Sequence, residues 1–297
     1  MLCRFKNAGI FTLGKHDGHP FSTDDFLQCI DDCGHLTTPS YTIIRNSPYF
    51  STSVSQSLQR HVKINSGDTV KTINTLLFDL DGTLIDSNDI IIASYAHAYR
   101  THLPDLVMPR ETIIDNIGPT LETIFSRYAP DVAMVERLIA SYRAHYTAHE
   151  ATYHTLYPDV HIVLEQLKRD GYNLAIVTSK YRDAAMPSFT HYELDRYFDV
   201  FISLDDVTYS KPDKEPVLKA LEQFDHVTGA IMIGDNPTDV QAGKNAGILA
   251  AGVGWSIKGA AALEAVGADV IFRDMNHLYH TLTLWNKEVT PEHEKET

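Results

Sequence analysis

The sequence predicts an α/β protein: a doubly wound parallel sheet with an inserted helical cap domain. Three observations lead there. From residue 72 onward, short apolar segments alternate with amphipathic ones. Several apolar segments break at their C-terminal ends into glycine, hydroxyl or acidic residues. One interval between successive strands is far too long for a simple crossover and reads as helical throughout. Alternation of this kind is the pattern of parallel strands covered by helices on both faces.

The elements follow in order. Ile73–Phe78 is an apolar run bounded by a glycine turn, the pattern of a central buried strand. Asn88–Thr101 places Ile91, Ile92, Tyr95, Ala98 and Tyr99 on one helical face. Helical patterns continue through Arg110–Asn116, Thr120–Tyr128 and Val132–Glu150, punctuated by Gly118-Pro119 and Pro130. Pro158 is expected to open a helix that runs to Arg169 and ends at Gly171. Strands are then expected at Tyr172–Thr178, Val200–Ser203, Ala230–Gly234, Ile248–Val253 and Val270–Phe272. Helices are expected between them at Arg182–His191, Lys214–Phe224, Thr238–Ala246 and Lys258–Val266. Asp81 and Thr178 are 97 residues apart, whereas a βαβ unit needs only about 30. The excess, residues 87–155, is read as a cap able to close over the strand ends. The sheet domain then comprises 72–86 and 156–285, followed by a charged tail at 286–297.

Residues 1–71 differ from the rest. They are rich in Ser, Thr, Asn, Gly and His, lack a sustained period, and split their apolar scraps with Gly and Pro. Three readings stand: a weakly structured extension, a start codon assigned too far upstream, or a small domain. All three cysteines, Cys3, Cys29 and Cys33, lie here. Cys29-x-x-x-Cys33-x-His35 offers too few ligands to specify a tetrahedral zinc site, and unligated thiols are the expectation. A body without cysteine has no disulfide and fits a reducing compartment.

Charge narrows the partners. Of the net −14, residues 1–71 carry +1, so the remainder carries −15. Such a body is a poor match for nucleic acid or an anionic membrane. No apolar run approaches the roughly 18 residues of a membrane span, and no N-terminal apolar stretch is long enough to be expected as a secretory signal. A cytoplasmic location is expected.

Four strand ends carry chemistry. The first supplies Asp79 and Asp81 on a tight turn, where two carboxylates can converge on one cation or one reacting atom. An acidic surface turn is the alternative for such a pair alone. The second ends in Thr178-Ser179-Lys180. A loop lysine, Lys211, stands before Pro212. The fourth is Ile233-Gly234-Asp235-Asn236-Pro237-Thr238-Asp239. In open α/β sheets ligands bind beyond the carboxyl ends of the strands, where all four fall. A phosphate-bearing substrate would be repelled by these acids unless a divalent cation and local lysines reverse the sign.

Asp79-x-Asp81-x-Thr83, Thr178, Lys211 and Gly234-Asp235-x-x-x-Asp239 resemble the four motifs of the haloacid-dehalogenase (HAD) superfamily of phosphohydrolases, over about residues 72–285. The resemblance implies a Rossmann-like core with a helical cap of the phosphoglycolate-phosphatase type. It implies Asp79 as nucleophile through an aspartyl phosphate and Asp81 as proton donor and acceptor. It implies Mg²⁺ held by the Asp79 and Asp235 carboxylates and the Asp81 backbone carbonyl, with Asp239 supporting that shell or Lys211. Thr178, Ser179 and Lys211 would hold the phosphoryl oxygens, with Thr83, Lys180 and Arg143 as further substrate-binding candidates.

Stretches outside the four motifs, among them residues 85–94, 117–121, 141–143 and 203–207, are similar to a group of pyrophosphatases of Gram-positive bacteria in this superfamily. That implies inorganic pyrophosphate as the small phosphorylated substrate, with Lys180, Arg182 and Arg143 available for its second phosphate. The alternatives are phosphoglycolate or another small monoester, or a non-catalytic phospho-ligand-binding regulatory protein, against which the intact acids argue. The tyrosines and histidines of 142–154 recur at helical spacing and read as helix core or solvated face.

Overall fold

The structure is a computed structural model that describes residues 72–289 and two short strands near the N-terminus. The chain divides into two compact units, Met1–Arg60 and His61–Thr297. In the first, Phe5–Lys6 pairs antiparallel with Ile10–Phe11. Cys29, Cys33, His35 and the readings of the N-terminal extension lie outside the described residues.

The second unit opens with β1 (Thr75–Phe78) and β2 (Ile85–Asp86). Four helices follow: α1 (Asn88–His102), α2 (Arg110–Asn116), α3 (Leu121–Phe125) and α4 (Val132–Tyr153). Then come β3 (Thr155–Leu156), α5 (Val160–Arg169), β4 (Asn173–Val177), α6 (Arg182–His191), β5 (Val200–Ile202) and α7 (Glu215–Leu221). The remainder is β6 (Ala230–Gly234), α8 (Pro237–Asn245), β7 (Leu249–Val253), α9 (Ala260–Ala265), β8 (Val270–Phe272) and α10 (Met275–Val289).

Six strands form one parallel sheet in the order β8-β7-β6-β1-β4-β5, with β1 inside it. The two-residue period of a strand sorts its side chains between the two faces. Leu76, Phe78, Leu174, Ile176, Ile231 and Ile233 join one core with α5, α6 and α10. Leu77, Ala175, Val177 and Met232 join another with α7 and α8. Each fully buried Leu or Phe contributes on the order of 1.5–3 kcal/mol of transfer free energy. Both faces are therefore apolar, and the strands read as continuous apolar runs.

The interval between β1 and β4 is helical, as expected. Its own core unites Tyr95 and Tyr99 of α1, Phe125 of α3, and Leu138 and Tyr142 of α4. Tyr95 packs on Phe125 at 5.3 Å and on Tyr142 at 4.9 Å between ring centroids. A feature absent from the sequence reading is the antiparallel pairing of β2 with β3, Ile85 with Leu156 and Asp86 with Thr155. The two chain crossings between sheet and helices are thus bonded to each other.

Two expectations need correction. The helix expected from Pro158 begins at Val160, because Asp159 adopts a left-handed φ of 63° that no helix can include. The sheet is followed by α10, whose Met275, Leu278 and Leu282 are fully or nearly fully buried at i, i+3 and i+7. The expected tail from 286 therefore begins later. Asn286 belongs to α10, accepts from Ile73 N at 2.9 Å and donates to Ile73 O at 2.8 Å, fastening the helix to the start of β1. Among the described residues no helix is long and apolar enough to cross a membrane.

Candidate active site

Strand register assembles the site. Phe78 pairs with Ile176 on one side and with Ile233 on the other. One step further along, Asp79 is level with Val177 and Gly234, so Thr178 and Asp235 emerge beside it. Asp79 N donates to Ile233 O at 2.9 Å and Thr178 N to Ile202 O at 3.0 Å, fixing both strand ends.

Lys211 enters from the loop after β5 and is almost completely buried. Its ammonium donates to Asp79 Oδ1 at 2.8 Å, to Val177 O at 2.8 Å and to Asp239 Oδ1 at 2.7 Å. Burial works against a charged lysine, but Asp239 and Asp79 outweigh it and hold its pKa above the usual range. Asp239 also accepts from Asn236 N at 2.9 Å, closing a capping box at the start of α8.

The carboxylates compete for compensation. Burial raises the Asp79 pKa to about 7 despite the pull of Lys211, with Asp239 and Asp81 adding repulsion. Burial, then the charges of Asp239 and Asp79, push Asp235 well above the ordinary carboxylate range. Among the described residues Asp235 has one side-chain partner, the Thr83 hydroxyl at 3.4 Å. Asp79, Asp235 and Asp239 present ligand atoms all within 4.8 Å of one another. Three buried acids with one lysine, paired to two of them, are a donor set suited to a hard divalent cation. Gly82, at φ +76°, passes so close that a β-carbon there would overlap the Asp235 carboxylate.

Asp81 faces the other way. Its carboxylate lies 2.9 Å from Lys180 Nζ. Burial raises its pKa, but the charge of Lys180, helped by the nearby Ser87 hydroxyl, outweighs burial and leaves it lowered. Lys180 Nζ also donates to Tyr146 Oη at 2.7 Å, and that phenol lies 2.7 Å from His154 Nε2.

These groups open onto a cavity of about 380 Å³ between the strand ends and the helical region. Asp79, Asp81, Thr178, Ser179, Lys180, Lys211, Asp235 and Asp239 all line it, as does Arg143, whose guanidinium lies 4.8 Å from the Tyr181 ring centroid. Ser179 Oγ is buried without a hydrogen-bond partner, an unused donor beside the strand end. Its helical wall is largely apolar and aromatic, with Ile91, Tyr95, Ile117 and Leu121.

Thr83, a substrate-binding candidate, and Arg182, an available cation, lie away from the cavity. Thr83 does not line the cavity. It is buried beneath, with its hydroxyl on Asp235 and its carbonyl accepting from Trp255 Nε1 at 3.2 Å. Arg182 is paired with Asp206 at 2.6 Å and is likewise outside the cavity. Sequence reasoning also missed residues. Tyr146 and His154 passed as a helix face, although Tyr146 continues the buried stripe of Tyr142 at i+4. Asn236 Nδ2 and Lys258 Nζ both donate to Ile117 O, at 2.8 and 2.6 Å, holding the helical region to the sheet. Asn236 was visible as the residue before a helix-opening proline. Nothing in the sequence marked Ile117 as its acceptor.

Comparison with known proteins identifies the family. Residues 76–253 fit the family described as haloacid dehalogenase-like hydrolase. The chain belongs to that family and is a phosphohydrolase of the HAD type. It is 41% identical over 216 residues to the pyrophosphatase PpaX of Bacillus cereus (strain Q1), covering 72% of this chain and 99% of that protein. The PpaX of Bacillus thuringiensis (strain Al Hakam) is 40% identical with the same coverage. Among solved structures, a hydrolase from Pseudomonas syringae aligns with a TM-score of 0.64 at 25% identity, covering 71% of this chain and 98% of that one. One described as a predicted phosphoglycolate phosphatase from Haemophilus somnus 129PT aligns at 0.62 and 22% identity, covering 71% and 97%, and shares the fold.

Proposed function

We propose that this phosphohydrolase is Mg²⁺-dependent and hydrolyses inorganic pyrophosphate to two phosphates, in the cytoplasm, with residues 87–155 acting as its cap. The observation that carries the substrate is the similarity to PpaX, which extends over 99% of that protein and so includes the helical region as well as the sheet. Lys180 and Arg143 beside the buried acids support it, since a second phosphate needs cations beyond Lys211.

Asp79 is the nucleophile. Its carboxylate oxygen bonds to phosphorus as the bond to the bridging oxygen breaks, giving an aspartyl phosphate. Asp81 donates a proton to the leaving phosphate, then takes one from the water that attacks phosphorus and frees Asp79. Paired with Lys180 it starts ionised; the proton it donates comes from the protonated diphosphate, which on binding shares the charge of the Lys180 ammonium. Lys211, Thr178 and Ser179 hold the transferring oxygens where charge accumulates. The Asp79 and Asp235 carboxylates, with the Asp81 carbonyl, would hold Mg²⁺, while Asp239 keeps Lys211 in place. When bound, the cation supplies positive charge that offsets both the acids and the phosphate.

The apolar wall of the cavity favours a second reading, hydrolysis of a small organic monoester such as phosphoglycolate. Steady-state turnover of pyrophosphate and 2-phosphoglycolate with Mg²⁺ separates the two. Preference for pyrophosphate is expected, and a preference of about tenfold for phosphoglycolate overturns the reading.

A further inference from the structure

Lys180 is held from two sides. Asp81 takes its ammonium at 2.9 Å from the sheet side, and Tyr146 Oη takes it at 2.7 Å from α4. Lysine can only donate, so the phenol oxygen accepts from it. His154 Nε2, at 2.7 Å, and the Asp81 carboxylate are the partners open to the phenol hydrogen. A neutral His154 can accept it. Burial, the largest influence on it, lowers its pKa in that direction, against the opposing charge of Asp81. His154 is itself immobilised: it caps α4, adjoins β3, and its carbonyl accepts from Tyr192 OH at 2.6 Å. Tyr146 and His154 are both buried. The chain of contacts therefore runs from the β2–β3 crossing to an ammonium beside Asp81, on the cavity wall.

We propose that Tyr146 and His154 are positioning residues for the reaction: through the phenol they hold the Lys180 ammonium where the leaving group departs. The inference rests on the pyrophosphatase reading for the identity of that leaving group. Departing phosphate carries charge on oxygen, and a cation fixed beside it stabilises that charge as the bond breaks. Tyr146 gives the ammonium a second anchor, on α4, that takes no part in the proton transfer assigned to Asp81. A substrate that expels a resonance-stabilised phenolate, such as p-nitrophenyl phosphate, needs this cation much less.

The test compares kcat on pyrophosphate and on p-nitrophenyl phosphate for wild type, Tyr146→Phe, His154→Leu, His154→Gln and Lys180→Met, with melting curves for each. Tyr146→Phe and His154→Leu are expected to lower kcat on pyrophosphate by about 10- to 100-fold. On p-nitrophenyl phosphate their effect is expected to stay within about threefold. Lys180→Met is expected to show the same selective loss. His154→Gln keeps an amide at the Nε2 position and is expected to restore pyrophosphate turnover. Equal losses on both substrates, no loss in Tyr146→Phe, or failure of the Gln variant to exceed Leu overturns the proposal. If wild type turns over p-nitrophenyl phosphate but not pyrophosphate, the pyrophosphatase reading fails by itself. The same comparison is then made with 2-phosphoglycolate, whose alkoxide leaves poorly, and an unselective loss there again overturns the positioning role.

Discussion

The Lys211 ammonium sits 2.8 Å from the Asp79 carboxylate, and both side chains are nearly closed to solvent. The proposed nucleophile is thus paired with a cation that the fold itself holds in place. Asp79→Asn keeps the shape of this pair and removes its nucleophile. Turnover of any phosphate ester is expected to fall by about 10⁴-fold or more, with an unchanged circular-dichroism spectrum. Activity near wild type would refute the aspartyl-phosphate route.

Lys211→Met leaves two buried carboxylates without their shared cation. Unfolding in urea without added metal is expected to show a loss of about 3–5 kcal/mol, because an uncompensated buried charge is costly. Adding Asp79→Asn to Lys211→Met is expected to return part of that stability. Strict additivity of the two changes would show that the residues do not interact.

Added Mg²⁺ is expected to stabilise the protein in a pH-dependent way. Burial lifts Asp79 from 3.8 to about 7 and lifts Asp235 in the same direction. Between those limits the metal-free folded protein holds protons that the unfolded chain has lost, so the stability contributed by these acids falls as pH rises. A cation must displace the same protons. Its stabilisation is therefore small at pH 5 and grows toward pH 8, to about 2.7 kcal/mol at a hundredfold excess over Kd. His145, His154 and His277, whose pKa values are lowered by burial, work in the opposite sense by gaining stability as pH rises. They act with or without metal, so the shift in Tm on adding Mg²⁺ is the quantity to read. A shift independent of pH would exclude these carboxylates as the ligands.

Gly82→Ala is expected to weaken Mg²⁺ binding by about 10- to 100-fold, measured by calorimetry. The new methyl group would displace the Asp235 carboxylate and adopt a φ that only glycine takes easily. Unaltered affinity would place the cation away from Asp235.

Much of this site was legible because its chemistry is local in sequence. Asp79 and Asp81 share a turn, Gly234 to Asp239 share a strand end, and the strands themselves are apolar runs punctuated by glycine. What was lost depends on contacts across long separations. Thr83 belongs to a motif but turns beneath the cavity, because Asp235 and Trp255 claim its polar atoms. Lys180 is a free cation in sequence and a paired one in space, since Asp81 and Tyr146 lie 99 and 34 residues away. Helix α10 carried a readable spacing of Met275, Leu278 and Leu282, obscured by neighbouring histidines and threonines that face outward.

The short ladder of Ile85–Asp86 against Thr155–Leu156 has a consequence for how such a chain can change. Because outgoing and returning strands are paired, the chain enters and leaves the intervening helices at a single point rather than at two. A segment of different length or shape could replace residues 87–154 without asking any sheet strand to move. Substrate choice can then vary by exchange of one module, while the acids that perform the chemistry keep their register.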